Sequence, residues 1–422
     1  MPLLSASLQG AVFHLTGLQK SDGGWEGEMV WNTMILSQYI LVQRACGQTI
    51  PPADVEQMIQ HYRVTRTSDG AWGMHGESSG YVYFTTLAYV ALRVLGVSPS
   101  DPLCADARKW LRQQPSGVLG IPHWGKFWLA LANLYEWDGV SPVLPEIWKL
   151  PKWFPLHPSN YYCHTRLIYL AMATLSGQRF QGPRTPLIEA LRDELYPQGY
   201  ASIDFKRARS ALRSGDIFTP WSRPLDLAYR GLALADKIIR FRGGREAELA
   251  KLRERIRYEL RTTHHTSISP VSGILNILAL HVTDAKDPDA QKAFETVDGW
   301  VWEDDVDGAR IAGARSASWD TGFAMQALAE VRRVLRSGGV FAFSSHNLHY
   351  AHAYEGPSLA WCRNPVTLAR RAFGLVTRLM NHRRVAPHRK ITPEYALLND
   401  EGRNFACLHY YASRDVVADQ LE

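Results

Sequence analysis

Cysteine is scarce in this 422-residue chain: five residues, Cys46, Cys104, Cys163, Cys362 and Cys407, widely spread and odd in number. No Cys-x-x-Cys occurs. A disulfide-stapled scaffold is therefore excluded, and a reducing compartment is expected. Cys163 and His164 are adjacent, but no further Cys/His spacing supports zinc, so no metal site is expected. Long apolar runs are also missing. The longest, such as GILNILALHV from Gly273, fall well short of the roughly 20 residues that cross a bilayer. The start, MPLLSASLQG, lacks the basic and apolar regions of a signal peptide, so secretion is not expected. If a membrane matters, the protein lies on it. Charge of one sign is lacking too. The net charge is +6, and the charges are scattered, leaving no nucleic-acid footprint. Convincing strand patterns are few.

Tryptophan is abundant, with 14 residues, 13 of them at or before Trp319. Two segments echo each other, HLTGLQKSDGGWEG (His14–Gly27) and HYRVTRTSDGAWGMH (His61–His75). They share Ser-Asp-Gly-x-Trp, with Asp22 and Asp69 separated by 47 residues. A weaker copy spans Trp110 to Gly125, and a trace is Asp298-Gly299-Trp300. A period near fifty suggests one helical hairpin per repeat. A helix ends at each Asp-Gly turn, where glycine tolerates positive φ, and the Trp covers the layer beneath. Between the turns run MILSQYILVQRA, TTLAYVALRVLG and KFWLALANLYEW, with apolar residues recurring at three and four as helices require. The fold class expected is all-α, an α/α barrel of helical hairpins. An α-solenoid that binds protein fits the same repeats.

Further along, the basic stretch from Lys237 to His265 reads as a solvated helix, while ISPVSGILNILALHV and WDTGFAMQALAEV read as buried ones. Beyond about residue 337 the chain turns rich in Arg and His and loses the repeat. The segment LPKWFPLHPSNYYCHTRLIYL (Leu150–Leu170) gathers Trp153, Phe154, Tyr161, Tyr162 and Tyr169 around Cys163-His164, and three prolines stiffen the approach.

The run from Pro122 to Phe180, beginning PHWGKFWLALANLYEWDG, resembles the squalene and oxidosqualene cyclases. The likeness continues through GPRTPLIEALRDELYPQGYASIDFKRAR and resumes at SPVSGILNILALHV and ARSASWDTGFAMQAL. The Asp-Gly-x-Trp copies resemble that family's Gln-Trp repeats, with Gln19 in place in the first and Arg66 where the second would carry Gln. The similarity spans roughly residues 8 to 330. It implies two α/α barrels, with residues 1–265 forming the inserted one, 266–336 beginning the second, and 337–422 a tail without counterpart. It also implies an isomerase that folds a C30 isoprenoid in a dry cavity. There an acid protonates an epoxide or alkene, and rings close through carbocations. Neither metal nor organic cofactor is implied. A monotopic seat on the cytoplasmic face of a membrane is implied, because the substrate dissolves nowhere else.

Such chemistry needs negative charge density without a trapping nucleophile. Aromatic faces supply it, at about 2 kcal/mol or more per desolvated cation–π contact. They also pre-shape the chain. The resemblance assigns His164 a place near the late cation and in the final proton loss, and an imidazole suits that task because its pKa is movable. Trp124, Tyr162 and Trp319 match aromatics of the cavity wall, Tyr162 replacing a usual Trp. Thr165 and Tyr169 fall where the family narrows the substrate's way in. The family's proton donor sits in Asp-Cys-Thr-Ala-Glu, or Asp-x-Asp-Asp in the squalene branch; neither occurs here. The nearest look-alike is EDDVDG, which makes Asp305 or Asp307 the candidate substitute acid and a solvated acidic loop the competing expectation. The missing acid keeps two alternatives open: a homologue that binds isoprenoid without turnover, and a protein-binding scaffold.

Overall fold

A computed structural model of the chain describes residues 2–27, 32–154, 157–211, 223–313, 317, 320–328, 346–347, 357, 365–392, 395–399 and 409–412. The chain divides into two compact units, residues 26–316, and residues 1–25 together with 317–422.

The smaller unit opens with α1 (Pro2–Gly17). The first Asp-Gly turn follows. The Asp22 carboxylate accepts from Gly24 N at 2.9 Å, and Gly23 takes φ 84°. Trp25 then donates its indole N–H to Leu15 O at 2.6 Å. Within the same unit, Thr321 Oγ1 accepts from Trp25 N at 2.8 Å. Residues 320–328 are helical, as expected, but Phe323 and Met325 are exposed and only Ala324 of the apolar residues there is buried. A helix over Pro365–Val385 follows. The short strands β3 (His346–Asn347), β4 (Lys390–Ile391), β5 (Tyr395–Leu398) and β6 (His409–Ala412) form a sheet in the order β3-β6-β5-β4. In it β3 and β6 run parallel and the other pairs antiparallel.

The larger unit is built as two layers of helix. Four helices lie side by side in the order α4 (Val82–Val94), α2 (Met34–Ala45), α12 (Pro270–His281) and α7 (Cys163–Gln178). Nine consecutive residues of α2, from Ile35 to Gln43, are buried, as are eleven of α4 and eleven of α12. Helices apolar on every face must be covered on every face. The cover comes from amphipathic helices: α5 (Pro102–Gln113) and α8 (Pro186–Leu195) on α4, α13 (Pro288–Val297) on α12, and α11 (Arg245–Thr262) on α7. In α5, for example, only Leu103, Cys104, Ala107 and Leu111 are buried. Four starts share one device, a capping side chain followed by proline at the first helical position: Asp101-Pro102, Thr185-Pro186, Ser269-Pro270 and Asp287-Pro288. Each cap satisfies an orphan N–H, worth about 1 kcal/mol. The result is the all-α, α/α-barrel architecture expected from the repeats.

The second Asp-Gly turn repeats the contact of the first. Gly70 takes φ 86°, and Trp72 donates to Tyr62 O, ten residues back, at 2.9 Å. The indole thus satisfies a carbonyl near the end of α3 (Pro52–Val64) and buries its ring in the layer beneath.

Two expectations need correction. The basic stretch from Lys237 is not one solvated helix. It breaks at Gly243 and Gly244, both at positive φ, between α10 (Arg223–Arg242) and α11. Helix α11 buries Leu249, Leu252, Ile256 and Leu260 at three- and four-residue steps. EDDVDG is not a plain loop either. It turns a hairpin of β1 (Val301–Asp304) and β2 (Gly308–Ile311) that packs on α3. Gly308, at φ 69°, lies so close to Gln57 O and His61 N that a Cβ would overlap them.

Candidate functional site: an aromatic-lined pocket

A pocket of about 630 Å³ lies among α6 (His123–Leu131), α7, α10 and the segment from Ser141 to Leu150. Helix α6 contributes Trp124 and Phe127; α7 contributes Thr165, Ile168, Tyr169 and Met172; α10 contributes Tyr229, Leu232 and Ile239. The α7 set falls at i, i+3, i+4 and i+7, one face of a helix. Trp124 is held from two sides. Its ring stacks on Phe127 at 5.8 Å and 9° and meets Trp128 edge-on at 5.8 Å. With its amide turned oxygen-first, buried Gln38 accepts from both Trp124 Nε1 and Trp128 Nε1 at 3.2 Å. Tyr161 meets Tyr169 edge-on at 5.6 Å.

The lining is electrically quiet. Burial raises the Tyr161, Tyr169 and Tyr229 hydroxyls above the usual phenol value, so none offers a phenolate at neutral pH. His123 is neutral: burial first, then the charges of Lys126 and Arg209, push it down to about 3. Its Nδ1 pairs with Ser141 Oγ at 2.9 Å, and its ring lies 4.1 Å from that of Tyr229. The carboxylate of the lining, Glu146, is taken up by Arg245, whose Nε and Nη2 donate to it at 2.8 and 3.1 Å. The arrangement offers π faces and methyl groups to an apolar guest, with its charged groups already engaged.

The residues singled out from sequence separate into groups. Trp124, Thr165 and Tyr169 share the pocket. His164 and Tyr162 do not line it. Position 164 lies about 100° around α7 from position 165, and Tyr162 precedes the first helical turn. These two instead stack on each other at 5.2 Å and 12°, with Tyr162 71% exposed and His164 half-buried. Cys163 Sγ approaches His164 Nδ1 at 3.3 Å. Trp319 lies outside the described residues. Asp305 and Asp307 sit on the exposed β1–β2 turn, away from the pocket lining. Asp304 there accepts from the backbone N–H groups of Val306 and Asp307. This is an exposed acidic turn rather than a buried acid, with Asp304 also paired to Arg310 at 2.7 Å.

Sequence reasoning missed Phe127, Tyr229, Leu232 and Ile239. Phe127 was signalled by its place three residues after Trp124. The α10 residues recur at i, i+3 and i+10 within LAYRGLALADKII, but the flanking arginines masked an inward apolar face. A buried acid was missed as well. Burial raises Glu259 to about 7 against hydrogen bonds from Ile268 N, Ser267 and Asn276. It joins α11 to α12 and stands apart from the pocket lining.

Comparison with known proteins agrees with this architecture. The squalene-hopene cyclase N-terminal domain family matches residues 8–306. The chain is 37% identical over 317 residues to a lanosterol synthase of Pneumocystis carinii, covering 74% of this chain and 44% of that protein. It is 35% identical over 326 residues to the human lanosterol synthase, covering 77% and 44%. With the cycloartenol synthase of Dictyostelium discoideum it shares 31% over 326 residues, covering 77% and 46%. The chain therefore spans under half the length of the curated relatives it matches. A family match over most of the chain, on a two-layered helical body with an aromatic pocket, means that this chain belongs to the squalene and oxidosqualene cyclase family.

Proposed function

We propose that this chain takes part in cyclising a C30 isoprenoid, 2,3-oxidosqualene or squalene, to a triterpene skeleton. The pocket between α6, α7 and α10 receives the polyene. The carrying observation is its wall: Trp124, Phe127, Tyr161, Tyr169 and Tyr229 around a space of about 630 Å³ whose ionisable lining is neutral or paired. Such a wall binds an alkene chain by apolar burial and steadies a developing cation without capturing it. By the family resemblance His164 is the base of the closing proton loss, although it stacks on Tyr162 at the start of α7 and stands outside the lining of this pocket. In this reading the protein lies on one leaflet of a membrane, on its cytoplasmic side. Support comes from α10. Its inner face lines the pocket, while Leu227, Leu234, Ile238 and Phe241 form one exposed apolar stripe on its outer face. Among the described residues no helix is long and apolar enough to cross a membrane.

A second reading, isoprenoid binding without turnover, is favoured by a specific observation: the family's acid motifs do not occur in these residues. One experiment separates the two. The protein is incubated with isotope-labelled 2,3-oxidosqualene in detergent micelles, and bound and converted label are measured by gas chromatography with mass spectrometry. Cyclised product that disappears in His164→Ala supports the first reading; retained, unconverted label supports the second. In either case Trp124→Ala weakens retention by about tenfold or more, since it removes a large apolar face. Failure of the wild-type protein to retain any label overturns both.

A further inference from the structure

Beside the aromatic pocket, across α10, lies a second cavity of about 410 Å³ with the opposite character. Arg179, Lys206, Arg209, Lys237 and Arg240 line it, against the two carboxylates Asp138 and Asp236. Both carboxylates are already shared. Asp236, buried, holds Arg240 at 2.9 Å, Arg245 at 2.6 Å and Arg179 at 3.5 Å. Asp138 holds Arg179 at 2.9 Å and Lys206 at 3.4 Å. Arg209 donates Nη2 to the Asp138 carbonyl, and its buried Nε has no hydrogen-bond partner among the described residues. The cavity therefore keeps an excess of positive charge in a partly desolvated place, where an anion with several acceptor oxygens satisfies donors that the protein leaves short.

The location narrows the anion. Leu234 both lines this cavity and belongs to the exposed apolar stripe of α10. Lys237, three residues on, lines it from the same helix. A ligand with a phosphate at one end and acyl chains at the other would set its phosphate among Arg209, Lys206 and Lys237 and its chains along Leu234, Ile238 and Phe241. We propose that this cavity is a binding site for the phosphate of an anionic phospholipid, which fixes α10 on membranes of that composition. The proposal rests on the membrane reading given above and adds a headgroup preference that an apolar stripe alone does not supply.

The test is flotation of the full chain with three kinds of vesicle: phosphatidylcholine alone, phosphatidylcholine with phosphatidic acid, and phosphatidylcholine with an equal charge of oleate. Thermal unfolding with and without inorganic phosphate runs alongside. The expected result is binding to phosphatidic acid vesicles at least about tenfold tighter than to either other kind. Lys206→Gln/Lys237→Gln reduces this to the phosphatidylcholine level. Lys109→Gln/Lys292→Gln, which removes equal charge elsewhere, retains the preference. Equal loss in both double variants, or equal binding to oleate vesicles, makes the effect diffuse surface charge and overturns the site. Binding to phosphatidylcholine with no headgroup preference also overturns it, while leaving the membrane reading intact. Absence of binding to every vesicle defeats the membrane reading and the lipid source together. Phosphate-induced stabilisation that is lost in Lys206→Gln/Lys237→Gln would then leave only a free-phosphate site.

Discussion

Lys126 sits fully buried on α6, its ammonium donating to Ala208 O and Arg209 O at 2.8 and 3.0 Å. Burial first, and the charge of Arg209 second, lower its pKa to about 7. The unfolded chain, with an ordinary lysine near 10.5, binds the more protons between these values. Stability should therefore rise as pH increases from about 7 towards 10, by at most about 1.4 kcal/mol per pH unit from this group, and the penalty is complete below 7. Urea unfolding at pH 7 and pH 9 measures it. The wild-type protein gains stability over that interval by more than Lys126→Met does; an identical gain in both would exclude Lys126 as the source. Burial first, and then the charges of Lys126 and Arg209, keep His123 neutral beside the pocket.

Among the elements, α10 decides most, because its faces have separate tasks. Inward it presents Tyr229, Leu232 and Ile239 to the aromatic pocket. Outward it exposes Leu227 and Phe241, the latter 94% accessible. Leu227→Glu/Phe241→Glu should lower binding to phosphatidylcholine vesicles by at least about tenfold, with far-ultraviolet circular dichroism unchanged. Unaltered flotation would mean that the stripe does not meet lipid. A buried ion cluster ties the end of α10 to α11: Asp236 with Arg240 and Arg245, and Arg245 in turn with Glu146. Burial opposes ionisation of Asp236, but hydrogen bonds from Arg240 and Arg245 outweigh it and hold the carboxyl below its usual value. Its stabilising contribution is present above the unfolded value near 4 and is lost as pH falls through the lower folded value. Asp236→Asn takes the carboxylate from Arg240, Arg245 and Arg179, leaving Arg240 without its ion pair in a desolvated place while Arg245 keeps Glu146 and Arg179 keeps Asp138. It should cost about 3–5 kcal/mol, measured by denaturant unfolding at pH 7. A cost below about 1 kcal/mol would show that Glu146 alone neutralises the cluster.

For the whole molecule, the main apolar cluster is continuous from Ile35 to Ile311 and lies entirely within the 26–316 unit. A fragment of residues 26–316 is therefore expected to unfold cooperatively on heating, followed by circular dichroism; a broad, featureless melt would show that the core needs more of the chain. Much of this core was legible in the sequence. The apolar steps of MILSQYILVQRA, TTLAYVALRVLG and GILNILALHV became α2, α4 and α12, and both Asp-Gly-x-Trp turns closed with glycine at positive φ. These follow from periodicity and backbone sterics, which act locally. Which side chains would share one hollow was legible only in part. Trp124, Thr165 and Tyr169 meet there, while His164, next to Thr165 in the chain, turns away because adjacent residues of a helix point about 100° apart. The amino-acid order by itself determined the apolar helices α2, α4 and α12, the Asp-Gly turns and the family. Only the tertiary structure decided that a basic helix such as α10 divides an aromatic pocket from a cationic one, because partners for its faces come from α6, α7 and α9 (Phe205–Ala208), distant in the chain and joined only by packing.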